Sequence, residues 1–410
     1  MANTTQNKTL STMSVFTRLY RNLSKIFKSQ ADELVIPINI KTDLCHAQAS
    51  RREKLYTDRA LPGSLLQAFT EKPLVTGDMR FIGREEQSTR LLSAIEMWQS
   101  GQTSMLAVTG PQGCGISSFL QQIPQHISDQ QGWHYSELTR RPTDNEDCLA
   151  QLSNIVGSEQ PIASVAELID YINTLPPGIF AIDNGHYLAS RIMGSNQAIR
   201  TFGAVMVATQ QRHLWILGCQ EFAWRRLAYL YNADRYFTEL IGLTLFSEDE
   251  LKQCLSSRLQ VSGILLNSDT SNEQTESPSV LGQLFSTLYK LSNGKPDIAF
   301  FYLLGSMNFN AEDKLWDIQP VEQLDFNQLK QLVHEELFTL AEISAHGQLS
   351  IDDHQSIFRS SHEESWLLLE RLYHQCLLDK TTNDNVTTYH LVPLYSDVIT
   401  RFLNNANYLY

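Results

Sequence analysis

Residues 110–123 read GPQGCGISSFLQQI: Gly110, Gly113 and Gly115 form a glycine-rich turn, and Ser117 and Ser118 stand in the first turn of a helix. The apolar run 104–109 (SMLAVT) ahead of it reads as a strand, which makes strand, loop, helix. That order suits an anion, because glycines let backbone N–H groups turn inward while the helix N-terminus adds a favourable dipole. The spacing is that of the phosphate loop GxxxxGK[ST] except at one position, where Ile116 replaces the lysine that would neutralise the β- and γ-phosphates. Ser117 keeps a hydroxyl for magnesium. Further on, 179–184 (IFAIDN) reads as a second buried strand ending in Asp183, placed to hold the magnesium water shell. Asn184 stands where a glutamate would polarise the attacking water; an amide can hydrogen-bond water but cannot take its proton. A third strand falls at 203–209 (GAVMVAT), which also reads as a helix end, or at 213–218 (HLWILG); Gln220 after the latter is the polar residue that would face a γ-phosphate.

With these residues in order, the chain resembles the P-loop ATPases of the AAA+ class, in particular their origin-recognition/Cdc6-like, secretion-accessory and signal-transduction (STAND-like) groups. FIGREEQSTRLLSAI at 81–95 is similar to the entry motif of that class, through Gly83, Arg84 and Glu85. IDNGHYL at 182–188 resembles its Walker B segment, GCQEFAWRRL at 218–227 its sensor 1 region, and LIGLTLFSEDELKQCLSSRL at 240–259 its linker into the lid. Ser247 with Glu250 is a capping box in its own right. NGKPDIAFFYLL at 293–304 looks like the sensor 2 helix, with Asp297 where an arginine would reach the γ-phosphate. The resemblance implies a nucleotide site built from Gly110, Gly113, Gly115, Ile116, Ser117, Ser118, Asp183, Asn184 and Gln220, with Ser117 and Asp183 on the metal. Its cofactor would be ATP or ADP with magnesium, weakly held, or none at all. Lysine, glutamate and arginine are all replaced, which removes the electrostatic stabilisation that phosphoryl transfer needs.

These residues must be carried by an α/β fold: an AAA+-like parallel sheet core with a helical lid, followed by a winged-helix domain. The expected boundaries are 1–75 for a basic N-terminal helix and docking arm, 76–240 for the core, 241–325 for the lid and 326–410 for the winged helix. The last rests on helices at 327–346, 350–360 and 362–376, a strand pair about TNDN at 382–385, and a helix at 393–407. Trp366 to Leu369 read as core, and His334, His346, His354, His362 and His374 as solvent histidines. The polar window 267–279 (NSDTSNEQTESPS) reads as a mobile loop.

Net charge is −13 over 410 residues, against a general attraction to nucleic acid or anionic membrane. It is unevenly placed: 1–80 carry +5, 81–329 carry −12, and 330–410 carry −6. Within 8–28 (KTLSTMSVFTRLYRNLSKIFK), Arg18, Arg21, Lys25 and Lys28 lie on an amphipathic pattern. That helix either packs on the acidic body of the protein or meets a partner, nucleic acid or a membrane surface. The acidic winged helix is better suited to protein than to DNA. Arg225, Arg226 and Arg235 are candidates for an arginine finger offered to a neighbouring subunit, or else form surface ion pairs. Scattered cysteines and the lack of a secretory leader suit reduced thiols in a cytoplasmic protein. The longest apolar stretches, such as 298–305, are shorter than the ~20 residues of a membrane helix.

The reading that emerges is a degenerate, pseudo-ATPase regulatory or scaffold subunit, working with a protein partner or as a homo-oligomer in a bacterial DNA-transaction, transposition or defence complex. Two alternatives stand beside it. One is a slow but genuine ATPase in which another lysine or arginine reaches the phosphates, Arg84 being the nearest candidate; the other is an initiator-like DNA-binding protein that uses the basic arm.

Overall fold

The structure is a computed structural model, and it describes residues 61–410 except 71, 128–131, 161, 189–196, 265–279, 311–314, 319–326, 384–385 and 410. The basic helix with Arg18, Arg21, Lys25 and Lys28, and the polar loop at 267–279, lie outside the described residues.

The chain enters through α1 (Gly63–Ala68) and α2 (Glu85–Gln99), then runs β1 (Met105–Gly110), α3 (Ile116–Gln122), β2 (Trp133–Glu137), α4 (Asn145–Ile155), α5 (Val165–Thr174), β3 (Ile179–Asp183), α6 (Gln197–Thr209), β4 (Leu214–Gln220), α7 (Glu221–Tyr231) and β5 (Glu239–Gly242). The five strands form one parallel sheet in the order β2-β3-β4-β1-β5. Such strands are covered on both faces, so they read as apolar runs. Their side chains nevertheless alternate. Met105, Ala107, Phe180, Ile182, Trp215 and Leu217 join α4, α5 and α6 on one face. Leu106, Val108, Ile179, Ala181, Leu214 and Ile216 join α2 and α3 on the other. Trp215 is fully buried, stacked 4.7 Å from Phe180 and donating from Nε1 to Thr209 Oγ1 at 2.9 Å.

The third strand is therefore β4. The stretch 203–209 is the last half of α6, because Phe202, Val205, Met206 and Thr209 recur at helical spacing and all face the core.

Next come the lid helices α8 (Glu248–Ser262), α9 (Val280–Ser292) and α10 (Pro296–Ser306), and a hairpin of β6 (Met307–Asn310) and β7 (Leu315–Ile318). Ser247 and Glu250 form the capping box at the start of α8. In α10 every residue from Ile298 to Leu304 is buried. The short α1 lies in the stretch assigned to a docking arm, yet it packs in the lid: Leu61, Leu65 and Phe69 share a core with Leu255, Leu259 and Phe300.

The C-terminal unit runs α11 (His334–His346), β8 (Gln348–Ser350), α12 (Ile351–Phe358), α13 (His362–His374), β9 (Leu378–Asn383), β10 (Val386–Leu391) and α14 (Pro393–Asn405), with its sheet ordered β8-β10-β9. Three helices and a hairpin wing are the arrangement that the sequence predicts. Ser350 with Asp353 and Ser361 with Glu364 cap α12 and α13 with capping boxes. Two expectations are corrected. Trp366 and Leu367 are 48% and 63% exposed while Leu369 is fully buried, because only one stripe of α13 can face the sheet. His346 and His354 are buried, not solvated, since both sit on inward positions of their helices and find partners there.

His354 lies 3.0 Å from Thr339 Oγ1 and 3.0 Å from Ser365 Oγ, and burial pushes it down to about 4. A histidine that is neutral in the fold but titrates near 6.5 when unfolded stabilises above 6.5 and loses that contribution as pH falls toward the folded value. Between pH 6.5 and 4 the loss is expected to reach about 3 kcal/mol for this residue. Urea unfolding at pH 7 and pH 4.5, run on the native chain and on His354→Gln, checks this: the variant should show the smaller pH dependence.

Candidate nucleotide site

Parallel strands put their carboxyl ends on one edge, and the register pairs Gly110 with Gln220 and Glu137 with Asp183. The phosphate-loop candidate, Asp183 and Gln220 thus meet at the edge where open α/β sheets bind ligands. Between this edge, the lid and the winged helix lies a cleft of about 340 Å³, lined by Gly113, Gly115, Ile116, Ser117, Ser118, Asp183, Asn184 and Gln220 among others. Gly110 ends β1 just beneath it.

The loop glycines have distinct reasons. A Cβ on Gly110 would stand 2.5 Å from Cys114 Sγ and 2.7 Å from the Leu243 carbonyl, so only glycine lets the loop lie this close to β5. Gly113 and Gly115 have φ of 82° and 95°, the left-handed region. Gly115 N-caps α3, and open space lies where its Cβ would be.

Ile116 packs among the apolar residues of the sheet face beneath α2 and α3. A Cβ on Gly218 would meet Leu120 Cδ1 at 2.8 Å, Asp183 Oδ1 at 2.9 Å and Ile116 Cγ2 at 3.0 Å, so an apolar plug and the Asp183 carboxyl border the same small space. Asp183 is 3% exposed. Burial raises its pKa, against hydrogen bonds from the Ser117 hydroxyl, the Asn184 N–H at 2.7 Å and Tyr135 Oη at 3.1 Å. The hydroxyl and carboxyl named for a magnesium ion therefore meet directly. This pair fits magnesium only together with phosphate oxygens and water, since that ion keeps six oxygens around it.

The machinery for a γ-phosphate fits poorly. Asn184 takes a left-handed turn (φ 58°) and its amide donates to the Leu138 carbonyl at 3.1 Å. Asp297 lies over the loop, with Oδ1 3.6 Å from the Cβ position of Gly113. Arg84 is not available as a substitute for the lysine: it is buried, donates to the carbonyls of Cys114 and Thr244 at 2.9 and 2.7 Å, and lies 4.9 Å over Phe246. It ties the loop to the lid linker.

Of the arginine-finger candidates, Arg225 bonds Glu221 one turn back and Arg235 is exposed. Arg226 points inward to Glu342 of the winged helix. Several cleft residues carried no signal in the sequence. Lys72 and Leu74 belong to a strap that docks on α3: Leu74 N–H donates to Ser118 Oγ at 3.0 Å, and Gln122 bonds the Leu74 and Val75 carbonyls. His186, Arg258 and Pro393 complete the wall. Gln122 was the one available clue, because a glutamine on the inner face of a short helix needs partners.

Strand order, the loop after β1, the acid closing β3, the lid and the hairpin wing together define the fold: an α/β core on a five-stranded parallel sheet, AAA+-like in its arrangement, with a helical lid and a C-terminal unit of helices and a hairpin. No protein-family model and no curated protein matches the chain. Solved structures to which it is similar include the ORC2 protein of Aeropyrum pernix, at 14% identity and TM-score 0.46, covering 83% of this chain and 96% of that one. Cdc6p of Pyrobaculum aerophilum is similar at 15% identity and TM-score 0.43, over 83% and 98% of the two chains. The RuvB Holliday junction branch migration motor of Thermotoga maritima is similar at 15% and 0.39, over 78% and 95%. Among the described residues no helix is long and apolar enough to cross a membrane.

Proposed function

We propose that the chain is a catalytically degenerate AAA+-like subunit, regulatory or scaffolding, that holds a nucleotide weakly or not at all and acts through the position of its domains. The observation that carries this is Ile116: an apolar side chain packed beside Leu120 and Asp183 where phosphoryl transfer needs a cation. Lys72 and Arg258 are the Lys or Arg residues that line the cleft among the described residues. Arg258 is occupied: it donates to the Ala68 carbonyl at 2.5 Å and lies 4.3 Å over Phe300. When bound, magnesium with a nucleotide would supply charge neutralisation between the glycine loop, Ser117 and Asp183; Asn184 offers no base in the glutamate's place, and Asp297 no cation in the arginine's.

The chain works with another protein or with itself. The exposed face of α13, with Trp366 and Leu367 beside Glu363 and Glu364, suits protein better than phosphate. A bacterial complex acting on DNA or in defence is the setting we infer, with the basic N-terminal arm as its contact to partner or nucleic acid.

Phosphate release by the purified full chain with Mg·ATP tests the central claim. The expected rate equals the protein-free background. Turnover that disappears in Asp183→Ala would instead establish a slow ATPase.

A further inference from the structure

The winged-helix unit meets the core through α11 and α12. Arg226 of α7 donates to the Glu342 carboxylate at 2.9 and 3.3 Å. Arg141 donates to Asp353 Oδ1 at 3.0 Å and lies 2.7 Å from His346 Nδ1. A guanidinium only donates, so Nδ1 accepts from Arg141, while Nε2 lies within reach of both the Glu342 carboxylate at 3.1 Å and Arg226 at 3.0 Å. The third helix of the unit, α13, packs instead on α12 and on β9 of the wing. It turns Ser365, Leu369 and Leu372 inward, and that stripe closes the core beneath it.

The outward side of α13 carries Glu363 and Glu364 in its first turn and Trp366 and Leu367 in its second, all four exposed. Exposed tryptophan is uncommon away from contacts, and at interfaces it is among the side chains that carry most of the binding energy. The charge around these anchors is acidic and is not neutralised from within. Arg371 and Lys380, the Lys and Arg residues of α13 and β9, are both taken: Arg371 pairs with Glu336 at 2.9 Å, and Lys380 with Glu370 at 3.0 Å while lying 4.3 Å over Tyr373. Glu364 accepts from the Ser361 N–H at 2.9 Å, which leaves its charge in place, and no cation among the described residues pairs with Glu363. Residues 330–410 as a whole carry −6.

We propose that the outward face of α13 docks a cationic amphipathic helix of a partner protein, with Trp366 and Leu367 as the apolar anchors and Glu363 and Glu364 facing its Lys or Arg residues. This rests on reading the chain as a subunit that works with another protein. Charge complementarity selects the occupant. A duplex would bring its phosphates against two unneutralised carboxylates, and a second copy of this unit would bring like charge. A helix suits the surface because its apolar stripe can lie on Trp366 and Leu367 while Lys or Arg residues on the stripe's edge reach the turn before them.

Fluorescence anisotropy on the full chain tests this with two labelled synthetic peptides, LKKLLKLLKKLLKL and LEELLELLEELLEL, which share one apolar face and differ in charge. The native protein is expected to bind the lysine peptide and not the glutamate one. Trp366→Ala keeps the protein's charge, so the general attraction of a −13 chain for a cationic peptide is the same in both; affinity should nevertheless fall about 10- to 30-fold with the anchor gone. Glu363→Gln with Glu364→Gln, which preserves the capping box, should cost about 2- to 5-fold and flatten the salt dependence. Equal affinity of the native and Trp366→Ala proteins overturns the docking face, and so does Trp366-dependent binding of a DNA duplex in place of the peptide. Phosphate release tests the ATPase reading separately: a chain without turnover whose peptide binding ignores Trp366 loses this site and keeps that reading.

Discussion

Ile116→Lys is expected to raise affinity for Mg·ATP by about 10- to 100-fold, the equivalent of one charge-assisted hydrogen bond of ~1.5–3 kcal/mol. The site is built for the change. Ile116 borders the space shared by Gly218, Leu120 and Asp183, so a longer side chain leaving the same Cα passes this plug and places its ammonium near the Asp183 carboxyl, at the cleft. Against it works Asp297, whose carboxylate lies over Gly113; the double variant Ile116→Lys/Asp297→Asn should therefore bind more tightly than the single one. Restoring the glutamate is expected to behave differently. Asn184 sits at φ 58°, where asparagine is tolerated and glutamate is strained by ~1–2 kcal/mol, so Asn184→Glu should lower stability without improving affinity. Calorimetry with Mg·ATP and Mg·ADP on each variant, with melting curves beside it, separates the two effects. A folded Ile116→Lys protein with unchanged nucleotide affinity would mean that the glycine loop is a strand-to-helix turn and nothing more.

The second large effect is on stability. Trp215→Ala is expected to cost ~3–5 kcal/mol, the range for removing a large aromatic side chain from a core. Trp215 lies in β4 between β1 and β3, is fully buried, and stacks on Phe180. Its loss leaves a cavity between the sheet and α6 and leaves the Thr209 hydroxyl without the indole donor. Trp215→Phe, which keeps most of the apolar contact, should cost less than half as much. Urea unfolding followed by circular dichroism checks both, and equal midpoints for native and Trp215→Ala protein would contradict the packing described for this face.

Much of this was legible in the chain. The glycine loop, the apolar strands 104–109 and 179–184, and Asp183 declare themselves locally, because each is a short stretch whose residue types serve one backbone geometry. The capping box at Ser247 and Glu250 and the order of elements in the winged helix were readable for the same reason. The features that could not be read depend on contacts between distant segments. Arg226 appears in sequence as one of two adjacent arginines on an amphipathic helix, and nothing near it says that Glu342 waits 116 residues away. Buried His346 looks like any histidine at a helix end until Arg141 and Glu342 are brought to it. Trp366 and Leu367 sit in an apolar run, and only the placement of the wing decides which side of α13 is covered.

The lid core also bears on the order in which the protein is made. Helix α1 delivers Leu65 to the lid, and the Ala68 carbonyl at its end is held by Arg258, 190 residues later. At ~5–20 residues per second, roughly 10–40 s of synthesis separate this helix from its partners. A six-residue helix is not stable alone. The sheet, complete at β5, can close while the first piece of the lid is still an unshielded apolar segment emerging ahead of it. Truncation at 76, which removes α1, is therefore expected to leave Leu255, Leu259 and Phe300 facing an empty groove in the finished protein, whereas truncation before Leu61 keeps that groove filled.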